Sequence, residues 1–282
     1  MPMKGRSEEK MADAHQLSTS PSPSGLLEIV DATGSTNDDV VALGRASAPH
    51  GRAIAARTQT AGRGRRGHVW VSPRGSLYLS VLLRPKTSPS LYMGLSAACA
   101  LGVLDGLAAC GASSHVTLKW PNDVLVGGRK LAGILMEAAR GPAGPFAVCG
   151  VGVNLVAPKG VRAERDQPLG ALAPGCLSDA LAGRPAPHFE ELAQAVHTGI
   201  VTRADHWAAK MSDEDEPLSP ILKDYQAHLS YLGCKVAAVS PSGELLCEGV
   251  FSCVDGWGRA VLLSADGKRK ALSCEQASLR VL

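Results

Sequence analysis

Apolar and polar positions in this chain fall into runs whose period assigns most of its secondary structure. Residues 26–30 predict a strand that leads into Thr33-Gly34-Ser35-Thr36-Asn37-Asp38-Asp39. Ser35 or Thr36 can cap a helix there, and the two aspartates complement its dipole. Exposed donors at such a helix start also suit carbonyls and anions. Residues 52–57 read as a second strand, residues 70–84 as a returning strand or hairpin, and residues 91–110 as a buried helix. The uncharged part of that helix, 91–104, is too short to cross a bilayer.

Farther on, Gly127-Gly128 between two apolar runs marks a tight hairpin, which sets Lys130 at the start of its second strand. Pro121 keeps the first strand from running straight and presents Asn122 and Asp123 at a bend. A third strand over 146–155 completes an antiparallel meander. Period-two alternation puts its Gly150, Gly152 and Asn154 on one face. That bare face suits either a flat ligand or close packing against a helix. Residues 161–184 read as loop, and 189–207 as an amphipathic helix carrying Phe189, Leu192, Val196, Ile200 and Trp207. His188, His197 and His206 read as helix-surface residues, because their spacing gathers no ligand cluster. An acidic loop follows at 212–217, then a helix over 218–232 ending at Gly233. From Cys234 onward, short apolar runs broken by tight turns predict a small β-barrel as a second domain. Residues 1–25, charged and then Ser/Pro-rich, predict a disordered tail.

Composition narrows the function classes. Apolar residues make up 45% of the 282, enough for a real core, and the net charge of +3 is too mild for a protein that coats nucleic acid. The charge is local instead. No acid occurs between Val40 and Leu104, while Arg45, Arg52, Arg57, Arg63, Arg65, Arg66, Arg74, Arg84 and Lys86 do. The eight cysteines are scattered without metal-ligand spacing, and the N-terminus has no continuous apolar signal segment. Both features predict a reducing, cytoplasmic setting without a membrane.

That basic stretch centres on Gln59-Thr60-Ala61-Gly62-Arg63-Gly64-Arg65-Arg66-Gly67. Glycines let its backbone bend and approach a ligand, and arginines offer planar charged forks to phosphate or carboxylate oxygens. The letters also fit the dinucleotide fingerprint G-x-G-x-x-G. Yet a β-rich segment follows instead of a helix, and the acidic ribose partner is absent, which excludes that reading. No P-loop and no Ser-His-Asp or Cys-His constellation stands out. A flexible Gly/Arg loop, a strand lysine and an Asn-Asp bend able to place phosphates and Mg²⁺ fit a nucleotide-using ligase.

Together, the Gly/Arg loop, Lys119-Trp120-Pro121-Asn122-Asp123, Arg129-Lys130-Leu131-Ala132-Gly133-Ile134-Leu135 and Gly150-Val151-Gly152-Val153-Asn154 resemble biotin–protein ligases, in that family's order and with Ser35-Thr36-Asn37 upstream. The resemblance implies an α+β catalytic domain over 26–232, related to class II aminoacyl-tRNA synthetases with a mixed or antiparallel sheet, and an SH3-like β-barrel over 233–282. It implies ATP-dependent activation of biotin as biotinyl-5′-AMP, then transfer to a lysine of a biotin carboxyl carrier domain. By match, Ser35, Thr36, Asn37 and Gln59 take the ureido head, with Gly133 and Gly152 in the same pocket. Arg63, Gly64 and Arg65 fold over the carboxylate and phosphate, and Lys130 bridges the two, making Lys130 and Arg65 the catalytic pair. Lys119, Asn122, Asp123, Asn154 and Arg280 join Arg65 and Lys130 on the ATP side, with Asp123 toward Mg²⁺.

Two departures qualify the match. His68 stands where the family often has a further Arg, and no winged-helix domain precedes the catalytic part, so operator binding is not expected. Monomer and homodimer both stay open. The competing readings are a lipoate–protein ligase and, from another class, a nucleic-acid module using the Arg-rich loop.

Overall fold

The computed structural model describes residues 20–21, 25–67, 69–112, 115–156 and 172–282. Most of the expected tail, His68 and much of the expected 161–184 loop lie outside the described residues.

Strands β1 (Ser20–Pro21), β2 (Leu27–Thr33), β3 (Ala53–Gln59), β4 (Ser76–Leu83), β5 (Val116–Lys119), β6 (Asp123–Val126), β7 (Arg129–Gly141) and β8 (Gly144–Asn154) form one sheet in the order β1-β2-β3-β4-β8-β7-β6-β5. β2 and β3 run parallel with helix α1 (Thr36–Arg45) between them, and the other pairings are antiparallel. The fold is therefore α+β with a mixed sheet. Ser20–Pro21, inside the expected tail, pairs with the edge of this sheet.

Period two explains why β4 sits at its centre. Leu77, Leu79, Val81 and Leu83 alternate onto one face, in the core shared with helices α2 (Tyr92–Ala109) and α4 (Phe189–Lys210). Ser76, Tyr78, Ser80 and Leu82 take the opposite face. There Leu82 packs with Val40 of α1 and Phe146 of β8, leaving Ser76 and Tyr78 to line a cleft and Ser80 buried behind Thr36 and Asn37. The apolar helix α2 is enclosed by the protein, with residues such as Leu95, Leu101 and Leu107 buried.

After the single turn α3 (Leu177–Ala180) and α4, the helix expected over 218–232 shrinks to α5 (Leu222–Ala227). Its continuation is diverted into the sheet edge: Leu118 N donates to His228 O at 2.8 Å and Ser230 N donates to Leu118 O at 2.7 Å. His197 corrects another expectation. It is buried, with Nε2 2.7 Å from Gly51 O, because α4 packs on the loop before β3.

Strands β9 (Lys235–Val239), β10 (Leu245–Val254), β11 (Ala260–Leu263), β12 (Arg269–Leu272) and β13 (Ser278–Val281) form a second, antiparallel sheet ordered β12-β11-β10-β9-β13. One apolar core runs from the first sheet into the second, through Leu218 and Tyr225 to Phe251 and Leu279. Trp120 fastens the junction, buried and donating from Nε1 to Gly258 O at 2.9 Å.

Candidate active site

The floor of the cleft is a patch of paired strand residues. Across β4 and β8, Ser76 faces Asn154, Tyr78 faces Gly152 and Ser80 faces Gly150; across β8 and β7, Gly152 faces Gly133. The open space above the glycines has occupants from the chain itself. A Cβ on Gly152 would stand 2.7 Å from Trp70 Nε1, and one on Gly133 would stand 3.0 Å from the same ring. At Gly150 a Cβ would overlap the Asn37 amide. The glycines admit an indole and an amide that form the wall of the cleft.

Trp70 belongs to a segment expected to be strand. Regular β4 starts only at Ser76, and residues 69–75 cross the cleft mouth instead. Val69 and Val71 are exposed while Trp70 turns inward. The segment is anchored by Trp70 N donating to Gly62 O at 2.9 Å and by Tyr78 Oη donating to Pro73 O at 2.8 Å.

One end of the cleft is built from neutral, buried side chains. Ser35, Thr36 and Asn37 stand at the start of α1 and are almost wholly buried. Gln59, at the end of β3, accepts at Oε1 from Thr36 N at 2.8 Å and Thr36 Oγ1 at 3.1 Å, and donates from Nε2 to Ser72 Oγ at 3.1 Å. Ser80 Oγ lies 2.8 Å from Thr36 Oγ1 and 2.5 Å from Asn37 Oδ1, its single hydrogen serving one at a time. Such buried polar groups are tolerated because they are bonded to one another.

The other end is cationic. Arg65, Arg66, Lys119, Lys130 and Arg280 line it, Arg63 lies nearer the start of α1, and Asp123 is the single carboxylate among the described residues lining the cleft. Lys119 and Asp123 face each other across the Trp120-Pro121-Asn122 turn, and Asp123 Oδ1 holds Lys130 Nζ at 2.7 Å. Lys130 Nζ also lies 4.9 Å from the Trp70 ring centre, a cation–π distance. Burial pushes the Lys119 amine below the ordinary lysine range; Asp123 opposes this, while Arg280 and Lys130 add to it. Burial likewise lowers Arg280, with Asp123 opposing. An anion entering here would relieve repulsion already built into the protein.

The arginine loop spans to the second sheet. Arg65 donates to Asn122 Oδ1 at 3.2 Å and to Cys274 O at 2.9 Å, and Arg66 donates to Cys274 O at 2.7 Å and Glu275 O at 3.2 Å. Arg280, on β13, completes this wall.

All of the sequence-predicted site residues line this one cleft: Ser35, Thr36, Asn37, Gln59, Arg63, Gly64, Arg65, Lys119, Asn122, Asp123, Lys130, Gly133, Gly152, Asn154 and Arg280. Two of them brace backbone. Asn122 donates to Ile134 O at 2.7 Å, and Asn154 donates to Lys130 O at 3.3 Å and Gly175 O at 3.1 Å. The sequence reading missed Ser72, Ser80 and Trp70. Ser80 carried a signal, a hydroxyl inside the otherwise apolar Leu77–Leu83 stretch of β4. Trp70 carried none, since an inward indole and an exposed strand tryptophan look alike in a pattern.

Cleft and fold together define an acid-activating ligase of the class to which residues 30–154 match, the biotin/lipoate A/B protein ligase family. A biotin–[acetyl-CoA-carboxylase] ligase of Paracoccus denitrificans is 31% identical over 240 residues, covering 84% of this chain and 94% of that protein. One from Mycobacterium tuberculosis is 34% identical over 253 residues, covering 85% and 86%. The chain belongs to the biotin–protein ligase family. Its fold matches that of the Aquifex aeolicus biotin protein ligase in complex with biotin and ATP, with a TM-score of 0.72 at 24% identity, over 91% of this chain and 99% of that one.

Proposed function

We propose that this protein activates biotin with ATP and transfers it to a lysine of a biotin carboxyl carrier domain. A carboxylate oxygen of biotin attacks the α-phosphorus, the bond to the β-phosphate breaks, and pyrophosphate leaves. The acceptor's ε-amine then attacks the mixed anhydride, forming an amide and releasing AMP. The observation that carries this reading is the polarity of the cleft, about 480 Å³ in volume, with buried, hydrogen-bonded neutral side chains at one end and Arg65, Arg66, Lys119, Lys130 and Arg280 at the other. Biotin's uncharged head suits the first end, and its carboxylate beside a triphosphate suits the second.

In this reading Ser35, Thr36, Asn37 and Gln59 hold the head, with Gly133 and Gly152 leaving room for the Trp70 wall. Lys130 and Arg65 stabilise the charge that develops at the carboxylate and α-phosphate. Arg63 and Gly64 complete the loop over the adenylate, while Lys119, Asn122, Asp123, Asn154 and Arg280 form the nucleotide side. Mg²⁺ binds through one or two carboxylates plus substrate phosphates, and the lone Asp123 carboxylate beside Asn122 fits that mode. Bound there, the ion would offset phosphate charge. Residues 26–232 act as the catalytic domain, like that of class II synthetases, and 233–282 as an SH3-like barrel. The eight free cysteines suit a cytoplasmic setting.

The test is biotin-dependent exchange of pyrophosphate into ATP, with lipoate as the control acid. Exchange with biotin alone is expected. Exchange with lipoate alone would transfer the reading to a lipoate ligase, and none with either would end it.

A further inference from the structure

We propose that Glu137, which does not line the cleft, is the positioning residue that couples recognition of the ligand's head to closure of the arginine loop. The inference rests on the biotin-ligase reading given above. Glu137 lies on β7, where its Oε2 accepts from Asn37 Nδ2 at 2.6 Å and from Arg63 NH2 at 3.0 Å; its Oε1 accepts from Arg63 NH1 at 3.0 Å. One carboxylate therefore joins the start of α1, strand β7 and the arginine loop. Arg63 also donates to Asp38 Oδ1 at 2.6 Å, which draws the loop onto the first turn of α1.

Acceptor chemistry gives this joint its function. A primary amide can present either its oxygen or its NH₂ to a neighbour, and the surroundings decide which. A carboxylate only accepts, so Glu137 takes the Asn37 NH₂ and turns the Asn37 oxygen toward Ser80 Oγ, 2.5 Å away. Asn37 is buried and its amide lies over Gly150, so it has no room to settle elsewhere. The same carboxylate seats the Arg63 fork through both of its terminal nitrogens, a bidentate pairing with fixed geometry. Removing Glu137 thus unfixes two features together: the donor pattern offered to the head, and the seat of the loop that covers the adenylate.

The two effects separate in Glu137→Gln. Glutamine keeps an oxygen for Asn37 and Arg63 NH2 but turns an NH₂ toward Arg63 NH1, donor against donor, which breaks the bidentate seat. The experiment uses the full chain and measures two quantities: biotin Kd by calorimetry without ATP, and the release rate of preloaded biotinyl-5′-AMP. Arg63→Ala sets the benchmark for a loosened loop, with release faster by about tenfold. Glu137→Ala is expected to weaken biotin binding about tenfold and to match that release rate. Glu137→Gln is expected to recover biotin affinity to within about threefold of the parent while release stays fast. Equal biotin affinities for the Ala and Gln variants would overturn the proposal, as would parent-like release from Glu137→Gln. If Glu137→Ala fails to fold, the Gln variant against the Arg63→Ala benchmark still decides. A parent protein that binds no biotin would instead defeat the functional reading, before any variant is compared.

Discussion

At the Thr36–Gln59 end of the cleft, small neutral side chains on a helix start and two central strands are buried and bonded to one another. At the Lys130–Arg280 end, cations from a loop, a hairpin and the second sheet converge around one carboxylate. The first end is complete within one sheet and needs no ligand to hold its shape. The second holds like charges together through backbone carbonyls at 274–275 and Asp123. In the proposed function, recognition of the head thus rests on a preformed end, and the chemistry on charges gathered at the other.

Substitutions should separate the two ends. The largest effect is expected from Lys130→Ala, which takes the cation from the reacting centre: pyrophosphate release should fall by about a thousandfold. Biotin binding without ATP should change far less, and normal pyrophosphate release would remove Lys130 from the mechanism. Next comes Arg65→Gly, which deletes the bonds to Asn122 and Cys274. The adenylate should escape and biotinylate bystander lysines, detectable by mass spectrometry of added albumin. Unchanged selectivity for the carrier would speak against a retaining role.

A smaller effect, about tenfold on the Kd for biotin, is expected from Gly152→Ala, whose Cβ would press on Trp70. Salt gives a milder contrast. Raising ionic strength from about 0.05 to 0.5 M should lift the KM for ATP severalfold while leaving biotin Kd within about twofold, because screening acts on charges. Equal salt sensitivity would erase the distinction between the ends.

The smallest effect concerns alkaline stability. Burial, with help from the Glu275 contact, pushes the Cys274 thiol up to about 11, against an ordinary value of 9.0. The unfolded chain loses this proton first, so the contribution is intact below pH 9 and fades as the pH climbs toward 11. Melting temperature should fall over that window, and Cys274→Ala should shallow the fall.

Much of this site was legible in the sequence because its residues sit in local motifs with strong geometric constraints. The Gly127-Gly128 turn fixed Lys130 near a strand start, and Pro121 fixed the bend before Asp123. Period two in β8 gathered Gly150, Gly152 and Asn154 on one face, as their pairing with Ser80, Tyr78 and Ser76 bears out. Long-range partners were not legible. Nothing in the Gly/Arg loop says that Arg65 and Arg66 meet the carbonyls at 274–275, and nothing in Glu137 points to Asn37. The helix expected over 218–232 failed for the same reason, since its continuation is captured by Leu118, a partner far away in the chain.

The placement of Arg280 bears on how the protein comes into being. The residues proposed to hold the head run from Ser35 to Gly152, whereas the cationic wall takes Arg280 from β13, which pairs with β9. Because α4 packs on the sheet beneath the first group and one apolar core joins the two sheets, both groups are ordered by the same folding event. In the proposed reaction, the reactive anhydride is thus made only by a molecule folded through β13.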